Sequence, residues 1–441
     1  MLDQVKEESS TELVEQVLSD FVAIRFFTEQ LCELLKPEDY NLQAIAETSP
    51  AKWHLAHTSW FFETFILKKF DSDFSPFNER YEYLFNSYYN AIGEQFPRPQ
   101  RGLLSRPSVE EIYEYRKHVT EQVKDFVKSL AQAQDKRLNE VLSLIVLGNN
   151  HEQQHQELLL TDLKYNLFQN PLLPAYRTSD QLVAQNEQVL PIEWIRFDEE
   201  LVSVGTDINN EPVTQTDFAY DNETPQHKFY RHQFSAANRL TTNGEYLEFI
   251  EQGGYQDSQY WLSDGWDTVR EHQWLAPLYW FKKNDDWFVY TLDGVKPLNL
   301  NEPVAHVSYY EADAFARWSE ARLLTEQEWE SIAGEPQLDS NSFNLVDNEL
   351  LHPVAATGNS GLQQLFGDVW EWTSSSYSAY PRFKPASGAV GEYNGKFMCN
   401  QYVLRGGSCV TSRNHIRKTY RNFFYPEARW QFSGIRLARD L

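Results

Sequence analysis

Apolar residues recur at helical spacing through most of the first 170 positions, and the pattern then breaks into short alternating stretches. Leu13, Val14, Val17, Leu18, Phe21, Ile24 and Phe27 predict a first helix over Thr11–Leu35 that stops before Pro37. Ser49-Pro50 reads as an N-cap with a proline at the first helical position. It opens a second helix to about Phe70 that carries Trp53, His54, His57, Trp60, Phe61, Thr64 and Phe65 on a broad face. A long connection follows, Asp71 to Pro107, with Pro97, Pro99, Pro107 and the aromatic cluster Phe85-Asn86-Ser87-Tyr88-Tyr89-Asn90; connections of that length inside a compact domain are usually functional. Ser108-Val109-Glu110-Glu111 is a capping box for a third helix to about Ala133, and Asp135–Phe168 makes the fourth. Four helices with one long crossover predict a four-helix bundle, in which a metal site would lie between facing helices.

The stretch 171–190 contains Pro171, Pro174 and the polar run Thr178-Ser179-Asp180 without sustained periodicity, and is expected to link domain 1–170 to domain 191–441. The second half has short alternating segments, Gly/Asn turns and scattered Trp and Tyr. Within it an amphipathic helix is expected over Ser308–Ala321, and Thr325 caps another. Gly367, Gly406 and Gly407 read as tight turns. The class is therefore α+β in two domains, which suits 441 residues. Aromatic residues make up 15% of the chain, with 13 Trp, as expected where loops are pinned by large rings.

Charge and cysteine content narrow the setting. A net charge of −25 argues against nucleic acid or an anionic membrane as partner. No run of apolar residues is long enough to span a bilayer, and the start lacks a secretory pattern, so a soluble cytoplasmic protein is expected. Cys32, Cys399 and Cys409 are too few and scattered for a disulfide framework and read as reduced, structural thiols.

The candidate chemistry centres on Gly148-Asn149-Asn150-His151-Glu152-Gln153-Gln154-His155-Gln156-Glu157 in the fourth helix. His151 and His155 lie one turn apart on one face, the spacing at which one metal ion takes a nitrogen from each. The same string is H-E-x-x-H, the zinc peptidase signature with Glu152 as base. Leu158 and Thr161 exclude the extended form of that motif, although a downstream ligand such as Glu187 stays open. The second helix offers His54 and His57, and either would complete a facial set of three imidazoles with open positions. Isolated histidines such as His118 and His227 carry no comparable pattern. Gln153, Gln154, Gln156 and Glu157 flank the pair as residues able to orient imidazoles or a substrate.

Taken together, Leu55-Ala56-His57, Asn86-Ser87-Tyr88-Tyr89 and His151 to Glu157 resemble the DinB-like domain of the iron-dependent sulfoxide synthases of ergothioneine biosynthesis. The second half is similar to the formylglycine-generating-enzyme (sulfatase-modifying factor) domain of those synthases, a modified C-type-lectin fold. The resemblance runs from the first helix to Gly434-Ile435-Arg436-Leu437-Ala438. It implies His57, His151 and His155 as ligands of Fe(2+), and Tyr88 and Tyr89 as the paired tyrosines of the branch that accepts free cysteine. Tyr377 lies where the gamma-glutamylcysteine branch keeps its own tyrosine; the Tyr88/Tyr89 pair is preferred. Arg98 and Arg101 match the arginine pair that holds the thiol substrate's carboxylate. Gln154 and Asn422 resemble residues lining the pocket for hercynine, the trimethylated histidine, and Phe424 stands where the gamma-glutamylcysteine branch has an acid. The implied reaction joins cysteine to the hercynine imidazole with O2 and oxidises the sulfur to the sulfoxide. Alternatives are a homologue using a selenosugar or gamma-glutamylcysteine, an ovothiol-type 5-histidylcysteine sulfoxide synthase, a non-catalytic lectin-like binding protein, and last the peptidase.

Overall fold

The computed structural model describes residues 2–178, 191–207, 214–334, 343–357 and 361–441, so the expected linker 171–190 lies outside the described residues from position 179 onward. The chain forms two compact units. The first comprises Met1–Gln169 together with Ile208–Phe218 and Ala386–Tyr393, and the second comprises the remainder. The first unit is thus wider than the 1–170 span expected from the sequence, because two short stretches of the second half fold with it. Neither stretch has a periodicity that would mark it.

Four long helices build the first unit: α1 (Leu2–Cys32), α2 (Ala51–Phe62), α3 (Val109–Gln132) and α4 (Leu138–Phe168). The α3 capping box is formed as its sequence predicts, by Ser108 and Glu111. At α2 the register differs by one residue. Pro50 is itself the N-cap, in an extended conformation, and its carbonyl accepts from the amides of Trp53 and His54. Ser49 is left to accept a hydrogen bond from Arg101 at 2.9 Å. The end of α2 continues through a π-helical turn, Glu63–Leu67, into Lys68–Phe70. Gly148 lets α2 approach α4 closely, since a Cβ there would lie 2.4 Å from the Phe62 ring.

An ion cluster in the bundle interior ties all four helices together. Glu152 of α4 accepts from Arg25 Nη1 (3.0 Å) and Thr28 Oγ1 (2.7 Å) of α1 and from Arg116 Nη2 (2.8 Å) of α3. Arg25 also donates to Ser59 Oγ at 2.9 Å, and Arg116 donates to the Leu55 carbonyl at 3.0 Å and Thr58 Oγ1 at 2.8 Å, all on α2. Burial works against the Glu152 charge, yet Arg116 and Arg25 hold its carboxyl below the usual range.

The second unit contains two four-stranded sheets. In one, Trp194–Phe197 pairs with Phe234–Ala237, then Leu437–Asp440, then Arg322–Leu323, all antiparallel. In the other, Asn422–Phe424 and Trp370–Ser376 flank Tyr402–Arg405, and Ser433–Gly434 adds a parallel edge. Helices Tyr309–Trp318 and Glu326–Ile332 open on capping boxes at Ser308 and Thr325. Gly406 turns the backbone at φ 97°, where a Cβ would meet the Leu365 carbonyl at 2.5 Å. Cys32 and Cys409 are buried and Cys399 is exposed, none of them in a disulfide. No helix among the described residues is long and apolar enough to cross a membrane.

Two stability predictions follow from the bundle. Glu152→Ala leaves the buried Arg25 guanidinium without its carboxylate and Arg116 with Glu29 alone, at 3.2 Å, and is expected to cost about 3–5 kcal/mol, read from denaturant midpoints. Glu63, in the π turn, has a buried carboxyl with Lys68 Nζ 3.9 Å away, an ammonium bound instead to Glu82 at 2.7 Å. Burial pushes this carboxyl from 4.5 up to about 7. The native state therefore binds the extra proton across that window, and stability falls as pH rises through it. Unfolding measured at about pH 5 and about pH 8 should show Glu63→Gln gaining on the wild type by up to about 3 kcal/mol at the higher pH.

Candidate metal centre

Helices α2 and α4 bring three imidazoles together. His57, His151 and His155 are buried, and one nitrogen from each lies within 4.8 Å of the others. Their ring centroids are separated by 5.0, 4.7 and 4.6 Å. His57 lies near-parallel to the indoles of Trp53 (4.5 Å, 13°) and Trp60 (5.3 Å, 14°), its neighbours a turn away on α2. His151 stacks on Phe61 at 4.7 Å.

Hydrogen bonds fix which nitrogens face the shared space. His57 Nδ1 is 2.6 Å from the Phe85 carbonyl; it must donate there, which leaves the lone pair on Nε2. His54 Nε2 lies 3.1 Å from Asp162 Oδ2 and donates to that carboxylate. With His54 neutral, its Nδ1 accepts and its 2.8 Å partner, His155 Nδ1, is the donor. His155 is thereby left with its lone pair on Nε2. His54 is thus the orienting partner of a ligand, and Asp162, which also accepts from the Ser49 amide at 2.8 Å, holds His54 in turn. Such outer partners commonly fix ligand tautomers at metal sites.

Burial, and secondarily His151, pushes His57 and His155 well below the ordinary imidazole range, while burial takes His151 down to about 4. All three are neutral at physiological pH, the state in which imidazole donates a lone pair. A nitrogen-only triad with open positions fits a divalent transition metal. Glu152 cannot serve as a peptidase base here, because both of its oxygens are committed to the ion cluster. Glu187, the alternative zinc ligand, lies outside the described residues.

Several other candidate residues share this unit. Arg101 is 3% exposed, its guanidinium 3.5 Å from the centroid of Trp53. It donates to Ser49 Oγ and Ser87 Oγ, both at 2.9 Å, while its buried Nε has no partner. No carboxylate among the described residues hydrogen-bonds to it. Burial, with Arg98 nearby, lowers its pKa. Arg98 is committed differently, donating to the carbonyls of Ala46 and Glu47. Asn86 braces the tyrosine loop by donating to the carbonyls of Tyr89 (3.1 Å) and Gly93 (3.2 Å), and Tyr88 N donates to Gln95 at 2.9 Å. Tyr88 has φ 67°, a left-handed conformation costing a bulky residue about 1–3 kcal/mol and held most often at functional sites. Tyr89 is buried against Trp60 (5.7 Å) and Phe65 (5.1 Å). Gln154 is half-buried on α4 between the two histidines, and its neighbour Gln153 accepts from Gln215 at 3.0 Å.

Tyr377, Asn422 and Phe424 belong to the second unit. Tyr377 is buried, its hydroxyl accepts from Asn222 at 2.9 Å, and its ring stacks 4.1 Å from Phe423. Asn422 Oδ1 accepts from the Phe423 amide, and Phe424 packs edge-on against Trp430. Sequence reasoning missed Asp162, although it stands two turns beyond His155 on the same helical face. It also missed Tyr393, whose ring reaches the tyrosine loop from the far end of the chain.

Comparisons with known proteins agree with this architecture. Residues 23–159 match the DinB superfamily, and residues 201–350 and 341–441 match the sulfatase-modifying factor enzyme 1-like domain. A hercynine oxygenase of Mycobacterium tuberculosis is 32% identical over 312 residues, covering 66% of this chain and 70% of its own. That of Mycolicibacterium smegmatis is 33% identical over 314 residues with the same coverage. Ergothioneine biosynthesis protein 1 of Schizosaccharomyces pombe is 30% identical over 234 residues, 51% of this chain and 28% of its own.

Asp162→Asn should loosen the His54–His155 relay without removing a ligand. A metal affinity lower by about 10–100-fold is expected, measured by competitive chelator titration against the wild type.

Proposed function

The chain belongs to the family of the hercynine oxygenases, with a DinB bundle and a sulfatase-modifying-factor domain, and from that premise we propose that it is an iron(II)-dependent sulfoxide synthase acting on hercynine and cysteine. The observation that carries this reading is the buried, neutral triad of His57, His151 and His155 on the bundle. The reaction forms a bond between the cysteine sulfur and a carbon of the hercynine imidazole. One oxygen atom of O2 becomes the sulfoxide oxygen, and the other leaves as water with the two hydrogens released from that carbon and the thiol.

Bound iron(II) supplies the one-electron chemistry that lets O2 react with a thiolate, and lowers the thiol's pKa. The protein's part is placement and proton control. His57, His151 and His155 would hold the metal, and a site that gathers both substrates beside it would turn a three-body encounter into a local one. Arg101 is suited to the cysteine carboxylate: it is a buried planar donor fork whose Nε has no partner and which hydrogen-bonds to no carboxylate among the described residues. Arg98, with Nε and Nη2 donating to backbone carbonyls, contributes its Nη1 donors and shapes the loop. Tyr88 and Tyr89 deliver the proton that carries one oxygen away as water. Tyr377, with its hydroxyl already engaged by Asn222, suits that task less well.

Gln154 is assigned to hercynine, whose quaternary ammonium needs amide oxygens and aromatic faces because it donates no hydrogen bond. Phe424 offers a ring and no charge, which favours free cysteine over gamma-glutamylcysteine. The intact triad speaks against a non-catalytic lectin-like protein, and the hercynine oxygenase relatives speak against a histidine-using, ovothiol-type enzyme. A cytoplasmic location belongs to the same proposal, and three cysteines outside any disulfide are compatible with a reducing compartment.

Anaerobic loading with Fe(II), followed by O2, hercynine and a donor, tests the reading by product mass. Cysteine should give the sulfoxide adduct faster than gamma-glutamylcysteine or a selenosugar, and His57→Ala should give none. Adduct formation by His57→Ala, or peptide hydrolysis supported by zinc, would overturn it.

A further inference from the structure

We propose that Tyr393 is a positioning residue for Tyr88 and Tyr89, so that the oxygen-handling side of the site is completed by a ring from the far end of the chain. The inference rests on the proton-delivery role just given to that pair. Tyr393 ends the segment Ala386–Tyr393, which folds with the first unit although some three hundred residues of chain separate it from the tyrosine loop. Its ring centroid lies 6.2 Å from Tyr88 at 67° and 6.5 Å from Tyr89 at 25°, one edge-to-face contact and one near-parallel.

Each phenol of the pair has a separate neighbour as well. Tyr89 leans on Trp60 and Phe65, and the Arg98 guanidinium lies 5.6 Å from the Tyr88 ring. Tyr393 touches both, and so sets the two phenols relative to each other. Tyr88 needs such support most, since it holds a left-handed backbone conformation in an irregular loop. Burial keeps the Tyr393 phenol itself protonated, with Arg98 acting in the opposite sense. The next residue, Asn394, donates to Asp221 at 2.6 Å within the second unit, which fixes the chain immediately beyond the ring.

The consequence is a choice between two balanced reactions. With the proton delivered on time, one oxygen atom joins sulfur, the other leaves as water, and hercynine is consumed. With the phenols displaced, both atoms of one O2 add to the cysteine sulfur, converting the thiol to the sulfinic acid with hercynine untouched. Tyr393 thus governs product partition more than turnover.

The test measures the sulfinate-to-sulfoxide ratio by mass, with iron-loaded full-length enzyme, hercynine, cysteine and O2. Tyr393→Ala is expected to raise the ratio roughly fivefold or more, while Tyr393→Phe, which keeps the ring, retains the wild-type ratio. Tyr393→Leu replaces the alanine variant if that one fails to fold. A wild-type ratio in the alanine or leucine variant overturns the inference, as does a phenylalanine variant shifted as far as alanine. The double variant Tyr88→Phe, Tyr89→Phe separates the two levels. If its ratio is unchanged, the proton-delivery role falls and this inference with it; if it shifts while Tyr393→Ala does not, only the inference falls.

Discussion

Everything in the metal-bearing unit depends on one buried carboxylate being answered by two guanidinium groups. Glu152 sits in sequence between the ligand histidines, and its clamp on Arg25 and Arg116 is the point where α1, α2, α3 and α4 are all tied by hydrogen bonds. A helix turns about 100° per residue, so a side chain one position from His151 points well away from the metal. The residue that a peptidase would use as a base is therefore used here to lock the rotation of α4. With α4 locked, His151 and His155 can face only α2. Gly148, which lets the Phe62 ring lie against the α4 backbone, then sets the distance.

Desolvation is the second constraint, and it acts in the same direction on groups of different kinds. It strips the proton from three imidazoles and so prepares them for a metal. It also leaves Arg101 as a buried cation whose hydrogen-bond partners are two neutral hydroxyls. In a chain with a net charge of −25, where acids are abundant, a buried arginine without a bound acid is an unusual expense, and an incoming carboxylate relieves it.

What could be read from the sequence was what is local. Helix spacing, the capping box at Ser108, the cap at Thr325, and the one-turn separation of His151 and His155 all lie within a few residues and have fixed physical meanings. What could not be read depends on distant partners. Arg25 lies 127 positions from Glu152, and on an amphipathic helix it is indistinguishable from a surface arginine. His54 and His57 were equivalent by spacing; only the reach of Asp162 and of the Phe85 carbonyl separates the orienting histidine from the ligand. The shift of the α2 N-cap from Ser49 to Pro50 has the same origin, since the demands of Arg101 and Asp162 on Ser49 override its local preference.

The inclusion of Ile208–Phe218 and Ala386–Tyr393 in the first unit bears on the order in which the protein is made. A ribosome that has released residue 169 has already delivered all three ligand histidines, but not Gln215 or Tyr393. The four bundle helices are thus complete as chain long before the two short stretches that fold with them have been made. Completion of that unit waits for residue 393, so synthesis itself imposes an interval in which its helices exist without the last segment that packs with them.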